Sequence, residues 1–219
     1  MSSIFHPPLL CYNGLMKQAL IIVDLQQDFC PGGALAVDEG DMIVPPINAI
    51  APRFDTVVAT RDWHPADHAS FASNHPGRSI QDTIDLDGIE QVLWPDHCVQ
   101  GTPGAEFHPA FDTAPLSMII HKGSSPKLDS YSAFFENDHT TPTGLDGYLK
   151  GLGIDDLVIG GLATDYCVFF SVMDALKLGY KVTLLGDCVR GVGFPPGSIE
   201  ERLETMRTEG ARILDSSEL

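Results

Sequence analysis

The chain has 219 residues, 43% of them apolar and 8% aromatic, which suits one α/β domain around a large single core. Thirteen Lys and Arg against thirty Asp and Glu leave a net charge of −17. That balance repels phosphate backbones and anionic membrane surfaces, so neither a nucleic acid nor a membrane is expected as a partner. Five scattered cysteines without a CxxC argue against a disulfide framework and a thiolate zinc site, and a reducing cytoplasm is the simplest setting.

The N-terminal "MSSIFHPPLLCYNGLMK" has two prolines in its short apolar part and no basic start, so it is a poor signal peptide. No apolar run reaches the roughly 20 residues that span a bilayer. Residues 1–16 read as an extension and 17–219 as a single domain. Strands follow at "ALIIVDL" (19–25), "TVVAT" (56–60), "LSMIIHK" (116–122), "DLVIGG" (156–161), "YKVTLLGD" (180–187) and "ARILD" (211–215). Their hydrophobicity is continuous rather than alternating, as in parallel strands covered on both faces. Helices are predicted at about 40–53, 143–151, 165–178 and 197–209, with Gly151 and Gly179 as stops. The order implies a doubly wound, mostly parallel six-stranded α/β sheet with helices on both faces. The stretch 65–115 has little periodicity but holds His68, His75, His97 and His108, so it reads as a functional loop.

In such a sheet, ligands bind beyond the carboxyl ends of the strands. Asp24, Lys122 and Cys167 fall at three of those ends. Each has an ordinary reading as a turn-stabilising acid, a solvated lysine or a packed thiol. Together they offer a base, a cation and a nucleophile, and Cys167 precedes a helix whose N-terminal field lowers a thiol pKa. Cysteine, base and backbone donors describe acyl transfer through a thioester. In "RDWHPADH", Asp62 and His64 lie two apart and share one side of an extended segment. With a third ligand such as His97 from "WPDHC", they make an O/N/N site for one divalent ion: Zn²⁺ first, with Fe²⁺ and Mn²⁺ also suited. His68 stays open as a ligand or an outer partner.

The segments "ALIIVDLQQDFCPGGALAV", "ATRDWHPADHASFASNH", "LWPDHCVQGTPGAEFHP", "HKG…DSYSAF" and "VIGGLATDYCV" follow one another in an order that resembles the nicotinamidases of the isochorismatase-like cysteine hydrolases. The resemblance implies an Asp24–Lys122–Cys167 triad, metal ligands Asp62, His64 and His97, and ring contacts from Phe29, Trp94 and Tyr131. It also implies an oxyanion hole from the backbone N–H groups of Ala163 and Cys167, with a cis peptide before Ala163. The expected reaction takes nicotinamide and water to nicotinate and ammonia in NAD salvage, with pyrazinamide as a further substrate. A related cysteine amidase acting on a ureido or carbamoyl group is the alternative. The chain departs from the family pattern in its extension and in an insert at 79–91, both common sites of subunit contact that suggest a homo-oligomer.

Overall fold

The computed structural model describes residues 17–219, so the expected extension at 1–16 lies outside the described residues. The main strands are β1 (Gln18–Val23), β2 (Val57–Asp62), β5 (Met118–Lys122), β6 (Asp156–Leu162), β7 (Lys181–Arg190) and β8 (Arg212–Leu214). They form one six-stranded sheet in the order β5-β2-β1-β6-β7-β8, and every neighbouring pair is parallel. The chain winds outward from β1 through β2 to β5, then returns to β6 and winds the other way. The order therefore reverses between β1 and β6, where an open parallel sheet leaves a crevice at its carboxyl ends.

Both faces of the sheet are covered. Ala19, Ile21 and Val23 pack beneath α2 (Leu145–Gly151) and α3 (Phe169–Lys177), against Leu145, Leu149, Val172 and Ala175. The alternate residues Leu20 and Ile22 face the other way, onto Val44, Ile47 and Ile50 of α1 (Val44–Ile50). This two-sided burial is why the strands read as unbroken apolar runs. The fourth helix, α4 (Ser198–Thr208), adds Met206 to the first core.

Two helices differ from expectation. The stretch 40–53 is not one helix: 3₁₀ turns at Gly40–Ile43 and Ala51–Arg53 flank the short α1. Pro45 and Pro46 are accommodated at the start of α1, but Pro52 lacks the N–H that would continue it. The helix expected from 165 opens instead with a wide π-type turn, Thr164–Val168, and α3 proper starts at Phe169. In that turn the Val168 N–H reaches back five residues to the Ala163 carbonyl at 3.1 Å. The Leu162–Ala163 peptide is cis.

The insert 79–91 folds as a separate hairpin of β3 (Thr83–Leu86) and β4 (Ile89–Val92), paired antiparallel from Leu86↔Ile89. Asp87 (φ 54°) and Gly88 (φ 89°) both take the left-handed conformation that a two-residue hairpin turn requires.

Gly161 lies against the end of β1 with φ 130°, and a Cβ there would overlap the backbone of Val23. Gly161→Ala should therefore destabilise the domain by at least about 2 kcal/mol, since the side chain meets both a strained φ and a rigid neighbour. Urea unfolding checks this; an unchanged midpoint would show that β1 and β6 separate freely there.

Candidate active site

Asp24 follows the last residue of β1 in the left-handed conformation (φ 47°) and is wholly buried. Thr60 of β2 fixes it: the threonine hydroxyl donates to Asp24 Oδ1 at 2.6 Å and receives the Asp24 N–H at 3.1 Å. Lys122, the last residue of β5, is also fully buried. Its Nζ lies 2.8 Å from Asp24 Oδ2, donates to the Ser130 carbonyl at 2.8 Å and to Asp62 Oδ1, and stands 3.5 Å from Cys167 Sγ. Asp24 Oδ2 forms that ion pair without receiving a well-directed hydrogen bond, so it retains a free lone pair. Oxygens of Asp24 and Asp62 and the Cys167 sulfur lie within 4.8 Å of one another.

Burial decides the protonation of this group. It pushes the Asp24 carboxyl up to about 6 even though Lys122 beside it pulls the other way. Burial alone would drag Lys122 down, but Asp24 and Asp62 outweigh it and hold the amine well above its ordinary value. The Cys167 thiol is pushed well above its ordinary value, again by burial, with Lys122 opposing. This corrects the expectation that the helix N-terminus lowers it. The thiol is 6% exposed and sits inside the π-type turn rather than at the open mouth of α3. It rests protonated, and an acceptor must take its proton during reaction.

The second group is built from lone pairs. His64 Nδ1 lies 2.8 Å from the Gly123 carbonyl and His97 Nδ1 lies 2.8 Å from the Pro95 carbonyl. A carbonyl can only accept, so each Nδ1 carries a hydrogen, and in the neutral ring each Nε2 presents a lone pair. Those Nε2 atoms face Asp62 Oδ2 at 3.6 and 3.8 Å, too far for hydrogen bonds. Two imidazole lone pairs and a carboxylate oxygen, all buried, converge within 4.8 Å, and a divalent cation fits that donor set. Burial brings His97 down to about 4, which keeps it a neutral donor. At His64, by contrast, burial is outweighed by Asp62 and the ring is raised above its ordinary value, so a cation bound there would displace its proton. Burial also pushes Asp62 up, but Lys122 and His64 together outweigh it and hold the carboxylate ionised. Gly123 is required here, because a Cβ at its φ of 61° would enter the His64 ring.

His68 is placed beside this cradle. Its ring lies 4.2 Å from that of His64, with Nδ1 2.7 Å from the Ser70 hydroxyl and Nε2 3.4 Å from the Leu128 carbonyl. Both nitrogens have partners, which suits an outer position better than a ligand.

One cavity joins the two groups. Cys167 and Ala163 border it together with Asp62 and His97, and its walls include Phe29, Trp94 and Tyr131. The three residues expected as ring contacts thus border the same cavity as the thiol. Trp94 Nε1 donates to the Tyr131 hydroxyl at 3.0 Å, and Phe29 meets the His97 ring edge-on at 5.5 Å. The cavity also brings in Leu35, Tyr166, Val192 and Asp129, which sequence reasoning missed. Tyr166 adjoins Cys167 in "TDYC", so adjacency was an available signal. Thr60 was signalled by its place one strand across from Asp24. Leu35 and Val192 had none.

The Asp24 environment carries a pH prediction. Only the carboxylate form accepts the thiol proton, and with the pKa raised to about 6 that form is present above pH 6 and lost as pH falls through it. The alkylation rate of Cys167 by iodoacetamide should therefore fall about tenfold per unit below pH 6. A rate that holds down to pH 4.5 would rule out Asp24 as the acceptor.

The isochorismatase domain model matches residues 18–218. The chain is 48% identical over 200 residues to the nicotinamidase of Escherichia coli (strain K12), covering 90% of this chain and 93% of the relative. It superposes on a nicotinamidase/pyrazinamidase structure from Acinetobacter baumanii with TM-score 0.90 and 48% identity, over 94% of this chain and 99% of the other. A Pyrococcus horikoshii pyrazinamidase in complex with zinc matches with TM-score 0.75 and 40% identity, over 91% and 99%.

Proposed function

Since the chain belongs to the isochorismatase family and is similar to its nicotinamidases along most of its length, we propose that it hydrolyses nicotinamide to nicotinate and ammonia through a thioester on Cys167. The observation that carries this reading is a cavity bordered by Cys167, with Asp24 and Lys122 buried behind the thiol, and by Asp62 and His97 of the cradle. A small planar amide bound there would meet the sulfur at one end and the cradle at the other. Pyrazinamide, which likewise has a ring nitrogen and a carboxamide, is the expected second substrate, in line with the pyrazinamidases among the matches.

Asp62, His64 and His97 would hold one divalent ion, with Zn²⁺ favoured by the zinc-bound relative and by the donor set. When bound, the ion supplies a Lewis-acidic anchor for a substrate lone pair and so serves as a template for orientation. The chain's own residues carry the chemistry. Phe29, Trp94 and Tyr131 hold the ring plane and set the carboxamide carbon against the sulfur, so that positioning replaces a collision. Asp24, with its free lone pair, takes the Cys167 proton as the sulfur attacks. Lys122 stays charged between Asp24 and the sulfur and steadies the negative charge as it passes from one to the other. The backbone N–H groups of Ala163 and Cys167 receive the developing oxyanion, worth about 3 kcal/mol for each well-placed donor. Asp24 then returns its proton to the departing ammonia and accepts one from the water that opens the thioester.

The test follows ammonia release from nicotinamide before and after exhaustive chelation. Release should stop on chelation and return with a divalent ion, and benzamide, which lacks the ring nitrogen, should be a poor substrate under all conditions. Cys167→Ala should lower turnover by about 10⁴-fold or more while nicotinamide still binds. Turnover indifferent to chelation would remove the cation from the reading and favour an amidase for a ureido or carbamoyl substrate.

A further inference from the structure

Asp129 has no role in the chemistry above, yet it is 5% exposed and borders the cavity. Its Oδ1 accepts the Ser130 N–H at 2.8 Å and its Oδ2 accepts the Gln91 side-chain amide at 2.8 Å. Each carboxylate oxygen accepts two hydrogen bonds, so two acceptor positions are left over. Among the described residues, no Lys, Arg or His nitrogen lies within ion-pair distance of it. A carboxylate that borders a cavity with acceptor positions unused can take a hydrogen bond from a water held in that cavity. The nearest cradle for a cation is the one already described. One oxygen of Asp129 lies within 4.8 Å of ring nitrogens of both His64 and His68, but Asp129 does not join the Asp62–His64–His97 group. His64 belongs to both groups, so Asp129 borders the Asp62–His64–His97 cradle without being one of its three donors.

We propose that Asp129 is an outer carboxylate of the divalent-cation site, accepting a hydrogen bond from a water on the ion, and that Gln91 positions it. The proposal rests on the reading of Asp62, His64 and His97 as cation ligands. It gives the hairpin insert a purpose. Gln91 on β4 is 1% exposed, donates to Asp129 and also lies 3.4 Å from the Tyr131 hydroxyl, so the insert braces both the cation site and the ring wall. Outer partners of this kind typically change metal affinity by about 10–100-fold.

The test is Zn²⁺ binding by full-length protein in competition with a chromogenic chelator, beside the thermal midpoint of the metal-free protein. Asp129→Asn should weaken Zn²⁺ binding by about 10–100-fold and Gln91→Ala by about 3–10-fold, with metal-free midpoints close to that of the unaltered chain. His97→Ala serves as the control for the ligands themselves. If His97→Ala loses Zn²⁺ while Asp129→Asn binds it as tightly as the unaltered chain, the outer role of Asp129 is refuted and the cradle stands. If the unaltered chain and His97→Ala bind Zn²⁺ alike, the cradle itself fails and this inference falls with it. Should Asp129→Asn not fold, Gln91→Ala decides, and an unchanged dissociation constant in that variant overturns the proposal.

Discussion

The site depends on one buried ammonium. Lys122 Nζ touches Asp24 just after β1 and Asp62 at the end of β2, and it is itself the last residue of β5. Three strand ends are thus tied by a single charged atom. Taking either carboxylate out of water unpaired would be unfavourable, and removing one partner from a buried pair costs about 3–5 kcal/mol. One ammonium between two carboxylates leaves a net −1, which a cation held by Asp62, His64 and His97 would offset. The same lysine stands 3.5 Å from the Cys167 sulfur, so the group that joins the strands also faces the nucleophile. Structure and chemistry are coupled at this point.

Much of this was legible in the sequence because two-sided burial leaves a plain mark. A polar residue that closes an unbroken apolar run, such as Asp24 after "ALIIV" or Lys122 after "MIIH", must sit at a strand end and must find a partner. The cradle was legible from Asp62 and His64 sharing one side of an extended segment. Three things were hidden. The thiol's protonation depends on burial from several elements, and the local helix-terminus argument saw only one of them. The π-type turn at Thr164–Val168 follows from a backbone path that no residue type announces. The roles of Asp129 and Gln91 depend on a contact across 38 positions of sequence. The hairpin was readable, since "TIDLDGIEQV" places Asp-Gly between two alternating segments, but the histidines nearby drew the reading toward an open loop.

The two groups of the site have different foundations. Asp24, Lys122 and Cys167 rise from the sheet or from the turn next to it, where close packing leaves little room for change. The ring wall and the outer carboxylate rise from connecting segments. Trp94 and Gln91 belong to the hairpin or to its exit, and Asp129 and Tyr131 to the loop after β5. Hydrogen bonds among these four residues hold them as a unit that contributes no strand to the main sheet.

That unit has its own tip, Asp87-Gly88, which forms no part of either core. Drift in the hairpin's length or in its outward residues leaves the bond-breaking machinery untouched. A lineage carrying this architecture can therefore retune which ring it admits, or how firmly it keeps its ion, without first rebuilding the means of opening an amide. The antiparallel ribbon is thus structurally separable from the parallel sheet that carries the bond-breaking groups.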